Sequence, residues 1–95
     1  MEIICTVDKV LPMEQREYTD QNGQRKNIIS RGIILNLGFG NFYAELFGEN
    51  ALKFSDNAPS GLCCARIGLS ARPWRDNNGK ERWENRITLY ELKAF

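Results

Sequence analysis

Two asparagine–glycine pairs, Asn22-Gly23 and Asn78-Gly79, limit what this chain can fold into more than any other feature. A tight hairpin turn needs positive φ at its centre, and Asn followed by Gly meets that need at the least steric cost. Each pair lies between segments rich in β-branched and aromatic residues, so each predicts an antiparallel hairpin. Gly38-Phe39-Gly40-Asn41 adds a third turn, and Asp56-Asn57-Ala58-Pro59-Ser60-Gly61 a longer fourth. A chain punctuated this way is built from strands.

The segments between the turns read as five strands. The first runs from Ile3 to Tyr18, with Ile3, Cys5 and Val7 on one face. Pro12 has no N–H to give a ladder, so it predicts an edge position or a bend. The second runs from Asn27 to Leu37, and Gly32 within it predicts a bulge or a barrel corner. The third is Phe42 to Phe47, the fourth Leu62 to Trp74 and the fifth Glu81 to Leu92. Glu49 to Phe54 lacks β-branched residues and predicts one or two helical turns. The order β-β-β-α-β-β is that of an OB-fold, an all-β five-stranded barrel with one short helix between strands three and four. Such barrels bind oligonucleotides or oligosaccharides across strands two and three, between the first and last hairpin loops. Here those loops are Thr19–Gln24 and Asp76–Gly79.

Composition narrows the function. The 95 residues, 42% hydrophobic and 26% charged, suit one globular domain spanning 1–95 rather than a disordered segment. No apolar run approaches the roughly 18–20 residues of a membrane span. The start, Met1-Glu2-Ile3-Ile4-Cys5, has no basic region before an apolar one, which points to a cytoplasmic protein. Three cysteines and no histidine fit reduced, buried thiols better than a disulfide framework or a zinc site. Neither a metal nor a cofactor is expected. Without histidine, a nucleophile motif or a phosphate-binding loop, an enzyme is not expected either. The net charge is only +1, yet residues 66–95 hold seven basic and four acidic residues. The basic character lies in the last third.

The second half of the chain also carries a resemblance. Leu46-Phe47-Gly48, the segment Glu49–Phe54, then Arg72-Pro73-Trp74-Arg75-Asp76, Gly79 and Arg82-Trp83 follow one another as in the bacterial and phage single-stranded DNA-binding proteins. The chain resembles that family over roughly residues 45–90. The resemblance implies an OB-fold, binding of single-stranded DNA with little sequence preference, a part in replication, recombination or repair, and a homodimer or homotetramer. It also implies that Phe47 stacks on bases. Two features depart from the family. Gly68 stands one position from the family's strand-four glycine, and Asn41 stands near its large aromatic at the start of strand three. The long acidic-tipped tail has no counterpart within these residues, so recruitment of repair proteins is not implied.

Non-specific binding of single strands needs aromatic faces for bases and cations for phosphates. Trp74 and Trp83 supply the first on the last hairpin, and Arg72, Arg75, Arg82 and Arg86 the second. If Asn78-Gly79 is a two-residue turn, Trp74 faces Trp83 and Arg75 faces Arg82. Lys26 and Arg31 on strand two are phosphate candidates, and Tyr18 is a further stacking candidate. Phe42 and Tyr43 point to opposite faces, so at most one of them meets a ligand. RNA is an alternative ligand. A protein-docking OB module and a sugar-binding domain are the competing readings, the first favoured by the near-neutral charge.

Overall fold

Strands form where the turn signals place them. The computed structural model describes residues 1–54 and 57–95. Its elements are β1 (Glu2–Thr19), β2 (Arg25–Asn36), β3 (Asn41–Phe47), α1 (Glu49–Lys53), β4 (Cys63–Arg75) and β5 (Glu81–Ala94). They close a barrel in the order β1-β2-β3-β5-β4. The pairs are antiparallel except for one parallel bridge, Glu45 with Thr88 between β3 and β5. The element order is the one predicted. Asp56, which opens the fourth predicted turn, lies outside the described residues.

β1 closes the barrel by pairing on both sides. Glu2 to Cys5 pairs with β4, and Thr6 to Thr19 pairs with β2. The register to β2 shifts between Val10 and Met13, so Leu11 and Pro12 together face Gly32. Pro12 thus sits at the bend that the sequence predicts. The bulge is carried by β1, however, while β2 keeps one register to β3 through Gly32. Gly32 is required for another reason. A Cβ there would stand 2.7 Å from the Tyr43 ring and 2.9 Å from a Leu11 methyl.

The barrel interior holds Cys5, Ile33, Leu35, Ala44, Leu46, Ala65, Ile67 and Leu89, with Ala51 of α1 packed against them. Cys63 is buried as well, and all three thiols are free. Burial, then the neighbouring Cys63 and Cys64, holds the Cys5 thiol above its usual pKa, so it behaves as a small apolar group.

Arg31, expected to meet phosphates, lies inside. It is only 7% exposed, and its guanidinium donates to the carbonyls of Leu11 at 3.1 Å and Phe54 at 3.0 Å. Its position in β2 has the parity of Ile33 and Leu35, so the side chain points inward and ties the β1 bulge to the segment after α1. Arg31 is therefore a structural cation.

Two hairpins run beyond the barrel. β1–β2 pairing extends past the last β2–β3 pair, and β4–β5 pairing extends past the last β1–β4 pair. β1 and β4 are antiparallel neighbours that meet near their starts, so their far ends project in opposite directions. The radius of gyration is 15.2 Å, against about 12 Å for a compact domain of this length.

Both hairpins end in the same loop. Asp20-Gln21-Asn22-Gly23-Gln24 and Asp76-Asn77-Asn78-Gly79-Lys80 each close with the fourth residue's N–H on the first carbonyl and the first N–H on the fifth carbonyl. Gly23 and Gly79 take φ of 78° and 76°. This is a three-residue loop with a glycine bulge, rather than the two-residue turn that Asn-Gly alone predicts. The aspartates select it. Asp20 Oδ1 accepts from the N–H groups of Asn22 and Gln24, and Asp76 Oδ1 from those of Asn78 and Lys80. The second oxygens pair with Lys26 at 3.3 Å and Arg82 at 2.9 Å.

Two outcomes follow. A buried carbonyl that loses its donor costs about 1–3 kcal/mol, and each 1 kcal/mol moves the melting point of a domain this size by roughly 4–8 °C. Arg31→Leu should therefore lower Tm by about 10 °C or more. A thermal melt checks this. For the loops, the hydrogen bond from Gln24 holds Asp20, and that from Arg82 holds Asp76, below the usual carboxylate pKa. A depressed folded pKa stabilises above the unfolded value and is lost as pH falls through the folded one. Both loops should thus stay ordered at neutral pH and loosen only in acid below the ordinary carboxylate range. Amide chemical shifts of Asn22, Gln24, Asn78 and Lys80 against pH report it.

Candidate nucleic-acid interface

Alternation along each strand decides which side chains share the outer surface. On β2 the buried Ile33 and Leu35 point inward, so Lys26, Ile28, Ser30, Gly32 and Ile34 point outward. Directly paired residues share a side. Tyr18 opposite Lys26 and Arg16 opposite Ile28 are therefore outward on the first arm. Phe47 opposite Ser30, Glu45 opposite Gly32 and Tyr43 opposite Ile34 are outward on β3. The Glu45–Thr88 bridge carries the same side onto β5. Arg86, Glu84 and Arg82 follow there, opposite Ser70, Arg72 and Trp74.

One continuous outer surface thus runs from Tyr18 and Lys26, over Phe47 and Tyr43, to Arg86, Arg72, Arg82 and Trp74. Tyr18, Tyr43 and Trp74 are about half exposed, and Phe47 is half-buried. Of the pair Phe42 and Tyr43, it is Tyr43 that faces out. Its ring lies against Gly32, where only a missing side chain leaves room. Partial burial and the nearby carboxylates of Glu45 and Glu14 push the Tyr43 hydroxyl pKa up, so it remains a neutral donor. Arg16 is the member that sequence reasoning missed, and Tyr43 the one it left undecided against Phe42. Their sides depend on register across β1, β2 and β3, which no single segment encodes.

The last hairpin is divided. The loop bulge pairs Trp74 with Arg82 and Pro73 with Trp83, so the two tryptophans lie on opposite sides. The expected Trp74–Trp83 and Arg75–Arg82 pairs do not form. Arg75 pairs with Glu81, on the Trp83 side, and donates to the Gly79 carbonyl at 3.1 Å. That side continues the barrel interior outward through Leu69 and Ile87.

Each cation of this row has an acidic neighbour. Arg16 lies 3.2 Å from Glu14, Lys26 3.3 Å from Asp20 and Arg82 2.9 Å from Asp76. Glu84 sits between Arg72 at 3.7 Å and Arg86 at 3.6 Å. Exposed pairs of this kind contribute about 0–1 kcal/mol, so a phosphate can exchange with the carboxylate. The buried Arg86 Nε has no hydrogen-bond partner. It borders a groove of about 300 Å³ where β3 and β5 separate, lined also by Phe42, Tyr43, Glu84 and Ile87. Ion-paired with Glu84 at 3.6 Å but without a hydrogen bond, this donor leaves room at the groove rim for a closer oxygen acceptor.

A second tyrosine–glycine contact lies on β4 and β5. A Cβ on Gly68 would meet the Tyr90 ring at 2.9 Å, and the Arg66 guanidinium stands 5.9 Å from that ring's centre. Gly68, one position from where the family resemblance puts a glycine, thus has its own packing reason. Among the described residues, no three Cys, Asp or Glu side chains converge on a metal-sized site, and no helix is long and apolar enough to cross a membrane.

No protein-family model matches the chain, and no curated protein matches it. Among solved structures, it is similar to the second OB-fold domain of replication protein A from Methanococcus maripaludis, determined by solution NMR. The TM-score is 0.55 at 14% identity, over 96% of this chain and 78% of the other. Identity this low carries the architecture alone, and together with the strand order it makes this chain an OB-fold domain.

Proposed function

We propose that this domain binds single-stranded DNA on its outer surface, with little sequence preference, and that it is a binding module rather than an enzyme. The observation that carries the reading is the row of half-exposed rings, Tyr18, Tyr43 and Trp74, interleaved on one side with Lys26, Arg86, Arg72 and Arg82. Rings offer faces that suit any base, and cations follow the phosphates. OB barrels take oligonucleotides between their first and last hairpin loops, and the run of this surface between those loops supports the reading. The likeness to a domain of replication protein A supports a role in DNA replication. Contacts of this type read little base identity, so RNA is the informative competitor.

The two tryptophans make the test sharp because they sit on opposite sides of one hairpin. Each stacked base contributes about 1–3 kcal/mol. Trp74→Ala and Tyr43→Ala should each weaken oligo-dT binding by about tenfold with the salt dependence unchanged. Trp83→Ala should leave the affinity for a short oligonucleotide within about twofold, since it removes no stacking ring. Arg72→Ala should reduce the slope of log K against log salt by about 0.7, the contribution of one single-strand phosphate. Fluorescence titrations at two salt concentrations measure all four. Equal affinity for duplex and single strand, or a larger loss at Trp83 than at Trp74, would remove the proposal.

A further inference from the structure

The second arm is a two-stranded ribbon with an incomplete backbone. Among the described residues, β5 from Glu81 to Ile87 pairs only with β4. The Asp76 N–H bond to the Lys80 carbonyl sets the alternation of the ladder. Trp74/Arg82, Arg72/Glu84 and Ser70/Arg86 direct their backbone groups to each other. Glu81, Trp83 and Asn85 of β5 direct theirs away from β4, as do Arg75, Pro73 and Ala71 of β4. The two edges are not equivalent. Pro73 removes an N–H from the β4 edge and blunts it. The β5 edge from Glu81 to Asn85 has no proline, no bulge and a complete set of donors and acceptors. Trp83 on this edge is 64% exposed.

The geometry points to a second copy of this chain as the occupant of that edge, its β5 antiparallel to this one about a two-fold axis through Trp83. In this register Trp83 meets its own symmetry mate with both backbones directed across the axis, as an antiparallel hydrogen-bonded pair requires. Glu81 falls opposite the partner's Asn85. Arg82 falls opposite the partner's Glu84, and Glu84 opposite the partner's Arg82. Two opposite-charge cross-strand pairs are therefore generated by symmetry from one sequence, Glu81-Arg82-Trp83-Glu84-Asn85. Arg82 and Glu84 are about half exposed and share the outer side, so both can reach across. On the other side the two Trp83 rings adjoin, covering apolar surface that continues through Leu69, Ala71 and Ile87. Lys80 opposite the partner's Arg86 is a like-charge pair and ends the register at residues 81–85. The joined arms form a four-stranded ribbon with Pro73 on both outer edges, so the assembly stops at two.

This interface rests on backbone direction and charge, independent of any ligand, and its test uses protein without nucleic acid. Sedimentation equilibrium at about 100 μM, a range in which small interfaces populate, should show a dimer. Arg82→Glu alone and Glu84→Arg alone each turn both cross-strand pairs into like-charge pairs. Each should weaken the dimer about tenfold or more. An equimolar mixture of the two variants restores opposite charges at both positions, so it should dimerise again as a heterodimer. That recovery separates the pairing from any local loss of folding in either variant. A wild-type monomer at that concentration, a dimer indifferent to both variants, or a mixture that stays monomeric would overturn the proposal.

Discussion

The closed barrel depends on bends in β1, whose register to β2 shifts at Asp8 and again at Leu11 and Pro12. One strand must serve two neighbours, β4 at its start and β2 along the rest, and a straight strand cannot follow both. Leu11 and Pro12 take the strain by facing one residue instead of two. Gly32 accepts them because it has no side chain, and Arg31 holds the bulged Leu11 carbonyl from inside. Ring, glycine, bulge and buried cation thus form one unit. The same unit seats the Tyr43 ring over Gly32, so the device that closes the barrel also positions a ring of the proposed binding surface.

The two arms differ in what their sides offer. On the first arm, Tyr18 and Lys26 continue the outer surface of the sheet. On the second, the bulge at Gly79 sends Trp74 to that surface and Trp83 to the opposite one. A residue slip of one position in a strand exchanges its sides completely. One glycine bulge therefore puts the two rings of one hairpin on opposite sides.

Much of this was legible in the sequence. Glycine, proline and asparagine mark chain reversals by steric rules that act within a few residues, so strand number, helix position and order could be read directly. Register could not. Asn78-Gly79 is compatible with two loop lengths, and the choice is made by Asp76, whose carboxylate reaches the N–H groups of both Asn78 and Lys80. Overlooking that aspartate put Trp74 opposite Trp83. Arg31 failed for a different reason. Its formal charge suggests solvent, while its alternation with Ile33 and Leu35 already indicated the interior. Tyr43 required knowing that a glycine on the neighbouring strand leaves a place for its ring, which only the paired strands reveal.

The acidic neighbours of the outer cations have a kinetic meaning. Asp20, Asp76, Glu14 and Glu84 are anions fixed to the protein beside the very groups that a polyanion would seek. If the surface binds a single strand as proposed, that strand would displace them one at a time, and each would return as soon as a phosphate lifted. They would then act as built-in competitors at high local concentration and shorten the life of any one contact. Such a surface would favour a strand that is exchanged and handed on over one that is stored.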